Sequence, residues 1–207
     1  ASISFADAMV GKLLTALEKS PYRDNTIIVL WSDHGWHLGE KHHWHKFTLW
    51  EEATRVPLVV NVPNLTKAGH TCDRAVSLID LYPTLVDLCG LDTPNNLDGQ
   101  SLLPLLNDPQ FQPDRTALIT HGRGNHAVRS QNRRYIRYAD NSEELYDHRI
   151  DPHEWTNLAA DTEYGDIKSL LRAQIPVNNA PQAAGKSRYK FDPKSYTWRT
   201  KPIKIKP

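Results

Sequence analysis

Between Thr26 and Lys46 the chain reads Thr-Ile-Ile-Val-Leu-Trp-Ser-Asp-His-Gly-Trp-His-Leu-Gly-Glu-Lys-His-His-Trp-His-Lys, and this stretch constrains the fold more than any other. Residues 27–31 are an apolar, β-branched run with the composition of a buried strand in a parallel sheet. The run breaks at Ser32-Asp33-His34-Gly35, three polar residues and a glycine that frees the backbone to turn. In an open α/β sheet ligands bind outside the carboxyl ends of the strands, so Asp33 and His34 are expected where such folds carry chemistry. Five of the ten histidines (His34, His37, His42, His43, His45) and three of the six tryptophans (Trp31, Trp36, Trp44) fall within fifteen residues here. A solvated loop has no need of that density, so the segment is read as a site or part of one.

The flanking sequence extends an α/β pattern. Residues 3–19 place Ile3, Ala6, Val10, Leu13, Leu14 and Leu17 at helical spacing, and Ser20-Pro21 closes the helix. After the site loop, residues 47–55 are a connection and residues 56–62 a second predicted buried strand, with Pro57 near its entry. A polar loop over 64–71 precedes helical periodicity over 78–88, capped by Cys89-Gly90. Beyond Leu91 the texture changes to a turn-rich link, then a short helix or turn over 100–107. Short β-like runs follow at 117–120, 127–130, 134–138 and 144–146, at hairpin spacing, and a helix is expected at 167–173. The expected architecture is a mixed, helix-flanked α/β sheet over 1–110 and a small antiparallel sheet with one helix over 111–175. Residues 176–207, where proline, basic and aromatic residues alternate without periodicity, read as an extended tail.

Composition removes several classes of function. The formal net charge is +1, which gives no general electrostatic case for nucleic acid or an anionic membrane. No apolar run approaches the roughly 20 residues that span a bilayer. Two cysteines, Cys72 and Cys89, make no disulfide framework and stand in no CxxC metal spacing.

An adjacent Asp-His pair at a strand end can hold a divalent metal, or it can be a hydrogen-bonded pair that orients a nucleophile; the residues alone leave both open. None of the histidines has the HExxH spacing of a zinc helix. Lys46, after Trp44-His45 in a loop facing the same strand end, supplies a compact positive charge suited to an anionic oxygen. Arg129, Arg133, Arg134 and Arg137 form a basic stripe, read as solvated or paired with Glu143 and Glu144.

The string Ser32-Asp33-His34-Gly35-Trp36-His37-Leu38-Gly39-Glu40, then Trp44-His45-Lys46, then Arg55-Val56-Pro57-Leu58-Val59-Val60 resembles the second half of a type I sulfatase of the alkaline phosphatase superfamily. Motif order and the twelve-residue step from His34 to Lys46 are most similar to the iduronate-2-sulfatase and choline-sulfatase group. The Asp80-Leu81-Tyr82-Pro83-Thr84 helix start, Glu144-Leu145-Tyr146-Asp147 and Asp151-Pro152-His153-Glu154-Trp155-Thr156-Asn157-Leu158 resemble the family's C-terminal segment. The likeness covers about residues 1–160 and none of the tail from about 175.

This resemblance implies a sulfuric ester hydrolase acting on a small-molecule or carbohydrate sulfate. Asp33 would be a calcium ligand, and His34 would contact the metal or the sulfate oxygens. Lys46 would bind the sulfate group and stabilise charge on the leaving oxygen, with Trp36, His37 and His45 lining the pocket wall. On the loop His121-Gly122-Arg123-Gly124-Asn125-His126, Arg123 and His126 are candidates to grip a carboxylate or second sulfate, with a ligand-free hairpin as the alternative. Such sulfatases use a formylglycine nucleophile made within a Cys/Ser-x-Pro/Ala-x-Arg motif beside two metal-binding aspartates. No cysteine or serine of this chain stands in that pattern. In the family those parts lie upstream of the helix with which this chain begins. The chain is therefore expected to be the C-terminal portion of a sulfatase, partnered by the N-terminal part of the same protein, inactive alone, and with an apolar sheet edge left open. A periplasmic or extracellular location goes with the family. Two other readings stand beside this one: a phosphonate or phosphodiester hydrolase of the same superfamily, and a non-catalytic module that binds sulfated glycans.

Overall fold

The computed structural model describes residues 1–112, 115–181, 189–192 and 194–200. Helix α1 (Ser2–Glu18) follows the periodicity of its leucines, yet none of its residues is buried, and Ile3, Phe5 and Leu13 stand open to solvent. Strand β1 (Ile28–Trp31) leads into the site loop, which contains a two-residue ribbon of β2 (His37–Leu38) and β3 (Trp44–His45). A single helical turn, α2 (Glu51–Thr54), occupies the predicted connection and delivers the chain to β4 (Leu58–Asn61).

The buried parallel strands expected here are not what forms. β1 pairs with β4 antiparallel, in the register Ile28 to Asn61 and Trp31 to Leu58, and no further strand joins them among the described residues. Leu30 is 43% exposed and its cross-strand partner Val59 55%. An apolar β-branched run records a need for cover, but neither the direction of its partner nor what supplies the cover.

Helix α3 (Leu81–Leu88) ends as its cap residues predict. Gly90 takes φ +63° and donates its N–H to the Asp87 carbonyl, while Leu91 donates to Val86. Asp80 is buried at the helix start, where its carboxylate accepts from the Ser77 and Gln100 N–H groups and pairs with Arg115. A short α4 (Leu103–Asn107) packs beside it, linked by the Thr84 hydroxyl, which accepts from Leu102 N–H.

The hairpin spacing of the next segment becomes a four-stranded antiparallel meander of β5 (Ala117–Thr120), β6 (His126–Arg129), β7 (Arg133–Arg137) and β8 (Glu143–Asp147). Side chains alternate across it. Val128, Tyr135 and Leu145 pack against α5 (Gly165–Arg172) through Ile167 and Leu171. Ala127, Ile136 and Tyr146 face the other way, onto Leu49 and Trp50 just after the site loop. The sheet is therefore covered on both faces, and one of its two covers is the segment that carries the candidate site.

The basic stripe of this sheet divides: Arg137 stays at the surface and donates to Asn141 Oδ1 (2.8 Å), while the other three are paired inward. Arg134 is 1% exposed and pairs with Glu51 and Glu154, Arg129 pairs with Glu51, and Arg133 with Asp147. Glu143 and Glu144 instead serve Arg172 and Lys168, and the Trp50, Tyr138 and Tyr146 donors, respectively. Period-2 alternation turned Arg134 inward, where only carboxylates from distant sequence could compensate it. The extended tail expected over 176–207 falls partly outside the described residues, at 182–188, 193 and 201–207. Within it β9 (Tyr189–Asp192) and β10 (Thr197–Thr200) form an antiparallel hairpin, the β-prone aromatics at 189, 191, 196 and 198 outweighing the prolines nearby.

Candidate functional site

The site loop is set by a glycine that nothing can replace. Gly35 donates its N–H to the Ala53 carbonyl at 2.9 Å, and a Cβ built on it would lie 2.0 Å from the Glu52 carbonyl oxygen. The turn that ends β1 is thereby pressed onto α2, and Asp33 and His34 project beside it. Ser32 tightens the turn by donating its hydroxyl to the His34 carbonyl at 2.9 Å.

Three candidate residues meet at one imidazole nitrogen. His34 Nδ1 lies 2.8 Å from the Gly35 carbonyl, which only accepts, so Nδ1 carries the hydrogen and Nε2 the lone pair. Lys46 Nζ is 2.7 Å from that Nε2, and the Asp33 carboxylate is 3.5 Å from it. An ammonium has three donors, and His34 takes one, which leaves two for another acceptor. Lys46 is itself held between His45 (φ +79°) and Phe47 (φ +74°), both in the left-handed region, and its carbonyl accepts from His43 Nε2 at 3.1 Å. Left-handed backbone at residues with a Cβ costs on the order of 1–3 kcal/mol each and gathers at functional sites. Asp33, His34 and Lys46 all line an open cleft of about 1570 Å³, bounded opposite by residues 65–78 and by β5.

The remaining candidates divide. The Trp36 ring contacts both His34 (centroids 6.1 Å, tilted) and His45 (5.2 Å, edge-on), so Trp36 and His45 stand beside the triad rather than in the cleft wall. His37 is not on a pocket wall at all. β2 turns Leu38 outward and His37 inward, where it is 0% exposed, with Nε2 on the Thr48 hydroxyl at 2.8 Å and Nδ1 without a partner. Burial, together with the neighbouring His43, pushes its pKa below the usual histidine value and keeps the ring neutral. His126 is likewise internal. As the first residue of β6 it accepts at Nδ1 from Thr120 Oγ1 (2.9 Å) and donates from Nε2 to Asn179 Oδ1 (2.6 Å). Both nitrogens being engaged and the ring 5% exposed, His126 has nothing to offer a ligand. Arg123 is exposed at the hairpin tip and does not line the cleft.

The sequence signature of the family described as N-sulphoglucosamine sulphohydrolase, C-terminal, matches residues 39–180. The chain belongs to the sulfatase family. A sulfatase of Formosa agariphila is 43% identical over 193 residues, which cover 93% of this chain and 38% of that protein. The structure of BT4656 in complex with its substrate D-glucosamine-2-N,6-O-disulfate aligns with a TM-score of 0.69 at 32% identity, covering 81% of this chain and 36% of that one. The phosphonate monoester hydrolase of Agrobacterium radiobacter aligns with a TM-score of 0.73 at 26% identity, over 97% of this chain and 44% of the other. The chain thus spans well under half the length of the relatives it matches. The mixed α/β fold expected from the sequence is the fold these sulfatase neighbours share.

Sequence reasoning missed what holds this sulfatase loop in place. Lys41, at φ +54°, donates to the Tyr146 hydroxyl (2.9 Å) and the Glu154 carbonyl (2.5 Å), with its ammonium 4.7 and 4.5 Å from the Trp50 and Tyr146 ring centres. Glu154 is 1% exposed, also at positive φ, and accepts from Glu51 N–H, Arg134 and His148. The Asp151–Leu158 motif is therefore a clamp: it fixes the start of α2, and α2 fixes Gly35. Glu51, His148 and Glu154 also lie close enough to suggest a cation site. Arg129 and Arg134 already neutralise the two carboxylates, so that cluster is an ion-pair network instead.

Proposed function

We propose that this chain supplies one wall of a sulfuric ester hydrolase site that acts on a carbohydrate or small-molecule sulfate. The observation that carries the reading is the Lys46 ammonium on His34 Nε2, two donors free, opening into the cleft beside Asp33. A sulfate ester brings anionic oxygens at the start and more charge on the leaving oxygen in the transition state. A fixed cation in a confined site stabilises that charge without reorganising. His34, held as the Nδ1–H tautomer, keeps Lys46 aimed rather than acting as an acid. That the similar BT4656 was solved with a disulfated glucosamine supports the sugar half of the reading.

Asp33 fits one place in a calcium shell, since its carboxylate is 82% exposed and hard oxygen donors suit that ion. His34 fits less well as a ligand, because its lone pair is turned to Lys46. Bound calcium would offset the negative charge of the sulfate oxygens. Calcium takes 6–8 oxygens, so the other ligands, like the formylglycine nucleophile, are assigned to the N-terminal part of the same protein. The twelve-residue step from His34 to Lys46 favours the iduronate-2-sulfatase and choline-sulfatase group within the family. The second reading, a phosphonate or phosphate ester hydrolase, is favoured by the 97% coverage of this chain in the phosphonate hydrolase alignment. Assay of the complete protein on glucosamine 6-sulfate, 4-nitrophenyl sulfate and a phenylphosphonate monoester, with metal analysis, separates the two. Turnover of the phosphonate alone, with manganese bound, would remove the sulfatase reading.

A further inference from the structure

The wall of the cleft next to Lys46 carries two exposed rings that the reading above leaves idle. Phe47 is 67% exposed and sits at φ +74°, a conformation that residues with a Cβ rarely adopt. Its ring is nonetheless placed: Lys46 Nζ is 5.3 Å from the centroid on one side, and the His121 ring is 5.8 Å away, tilted by 33°. His121 follows the last residue of β5 in a hairpin loop braced by hydrogen bonds. Its N–H donates to the Asn125 carbonyl (3.1 Å), Asn125 Nδ2 donates to the His121 carbonyl (3.0 Å), and Asn125 Oδ1 accepts from Ala139 N–H (3.0 Å). Both rings line the cleft.

A single exposed apolar side chain is ordinary and needs no function. This one differs on three counts: its backbone is in a sparsely populated region, its neighbour across the cleft wall is another exposed ring on a braced loop, and the cation beside it is the proposed sulfate-binding group. Among the described residues neither ring belongs to a buried apolar cluster. The pair extends the site from a point charge to a surface, and the extension begins at the Lys46 ammonium.

We propose that Phe47 and His121 form a platform for the sugar ring that bears the sulfate. The flat Phe47 ring takes the C–H face of a pyranose, and His121 hydrogen-bonds a hydroxyl or carboxylate at the edge of the same ring. The proposal rests on the sulfatase reading of Lys46 and adds the substrate class, a cyclic sugar sulfate in preference to a compact acyclic one. In place of Arg123 and His126, the hairpin contributes His121.

The test is a binding titration of the complete protein, prepared with its nucleophile unconverted so that no probe is turned over, followed by NMR of the ring protons of Phe47 and His121. The probes are glucosamine 6-sulfate, 4-nitrophenyl sulfate, unsulfated glucosamine and inorganic sulfate. The sugar sulfate is expected to shift both rings and to bind about tenfold more tightly than inorganic sulfate. That ratio should fall to near unity in Phe47→Leu, persist in Phe47→Tyr, and drop about threefold in His121→Ala. Circular dichroism of each variant checks that the fold is kept. An unchanged ratio in Phe47→Leu, or a sugar sulfate that shifts neither ring, overturns the platform. A gain for 4-nitrophenyl sulfate as large as that for the sugar would overturn the assignment to carbohydrate. Inorganic sulfate that binds equally to wild type and Lys46→Ala would instead overturn the reading of Lys46, which the Phe47 ratio does not touch.

Discussion

The sequence offers Lys46 as a cation suited to an anionic oxygen, and the structure shows what positions it. His45 and Phe47 hold their backbones in the left-handed region on either side of it, His43 pins its carbonyl, and His34 receives one of its three hydrogens. In the complete protein, Lys46→Ala is expected to lower kcat by ~10²-fold or more, the usual effect of removing one charge-stabilising donor. Steady-state kinetics on a sulfate ester measure it, and a kcat indifferent to the change would return Lys46 to the status of a loop residue. Gly35 is the backbone counterpart. With its Cβ 2.0 Å from the Glu52 carbonyl, Gly35→Ala must push α2 and the Asp33-His34 turn apart. Overpacking of that kind costs about 1–3 kcal/mol, so denaturant unfolding should show a loss in that range, and activity should fall with it.

At the scale of elements, the chain is held together by pairings that span a hundred residues. α2 carries the turn of Asp33 and His34, and its own start is anchored by Glu154 and Arg134 from the far end of the meander. Removing one member of a buried ion pair leaves an uncompensated charge and costs about 3–5 kcal/mol. Arg134→Met should therefore destabilise strongly in a thermal melt, whereas the exposed pair of Arg23 and Asp24 should be silent on mutation. The same network sets the acid limit. Burial opposes ionisation of Glu51, but the Arg129 hydrogen bonds and the charges of Arg134 and Arg129 outweigh it and hold its carboxyl at about 2. A depressed folded-state pKa gives stability that is complete above the unfolded value near 4.5 and is lost as pH falls through about 2. In Arg129→Met that acid loss should begin at higher pH, read from the midpoint of unfolding against pH; identical profiles would show that Arg129 contributes nothing to Glu51. Much of this level was legible in the sequence. The β-like run at 117–120 forms a strand as expected and the one at 134–138 forms one residue earlier, at Arg133–Arg137, both bounded by turn residues, and α3 follows its leucines to the glycine cap. What was not legible is what alternation leaves out. The arginine stripe read as solvated or paired with Glu143 and Glu144, and nothing local told that Arg134 turns inward to Glu51 and Glu154; the family resemblance put His37 in a wall, whereas the neighbouring Leu38 takes the outward position on β2. His126 was misplaced for the same reason: whether a loop residue faces solvent or the first rung of a strand depends on one residue of register.

The whole molecule is well packed at one end and open at the other. The four-stranded sheet is covered on both faces, while α1 buries nothing and Leu30, Trp31 and Val59 leave the β1–β4 ribbon with exposed apolar surface. The candidate site sits at the boundary, with its cation supplied and the rest of its chemistry unassigned within this chain. Hydrolysis of a sulfate ester needs a nucleophile in line with the leaving oxygen, a metal against the sulfate charge, and a cation at the leaving group. On the proposed reading Lys46 would meet the third need and Asp33 a fraction of the second. For the first, neither Cys72 nor Cys89 nor any serine stands in the required motif. The expected outcome is that the 207-residue chain alone neither turns over glucosamine 6-sulfate nor binds calcium tightly, because one exposed carboxylate falls far short of the 6–8 oxygens that ion takes. The complete protein should do both, and should gain thermal stability with calcium, since an ion bound only by the native state stabilises it by mass action. Calorimetry with calcium and a sulfate-release assay, run on the chain and on the complete protein, decide the matter. Stoichiometric calcium on the isolated chain would mean that the ligands have been placed wrongly. Turnover by the isolated chain, abolished in Lys46→Ala, would place a nucleophile among these residues, and the cleft around His34 is where it would have to be sought.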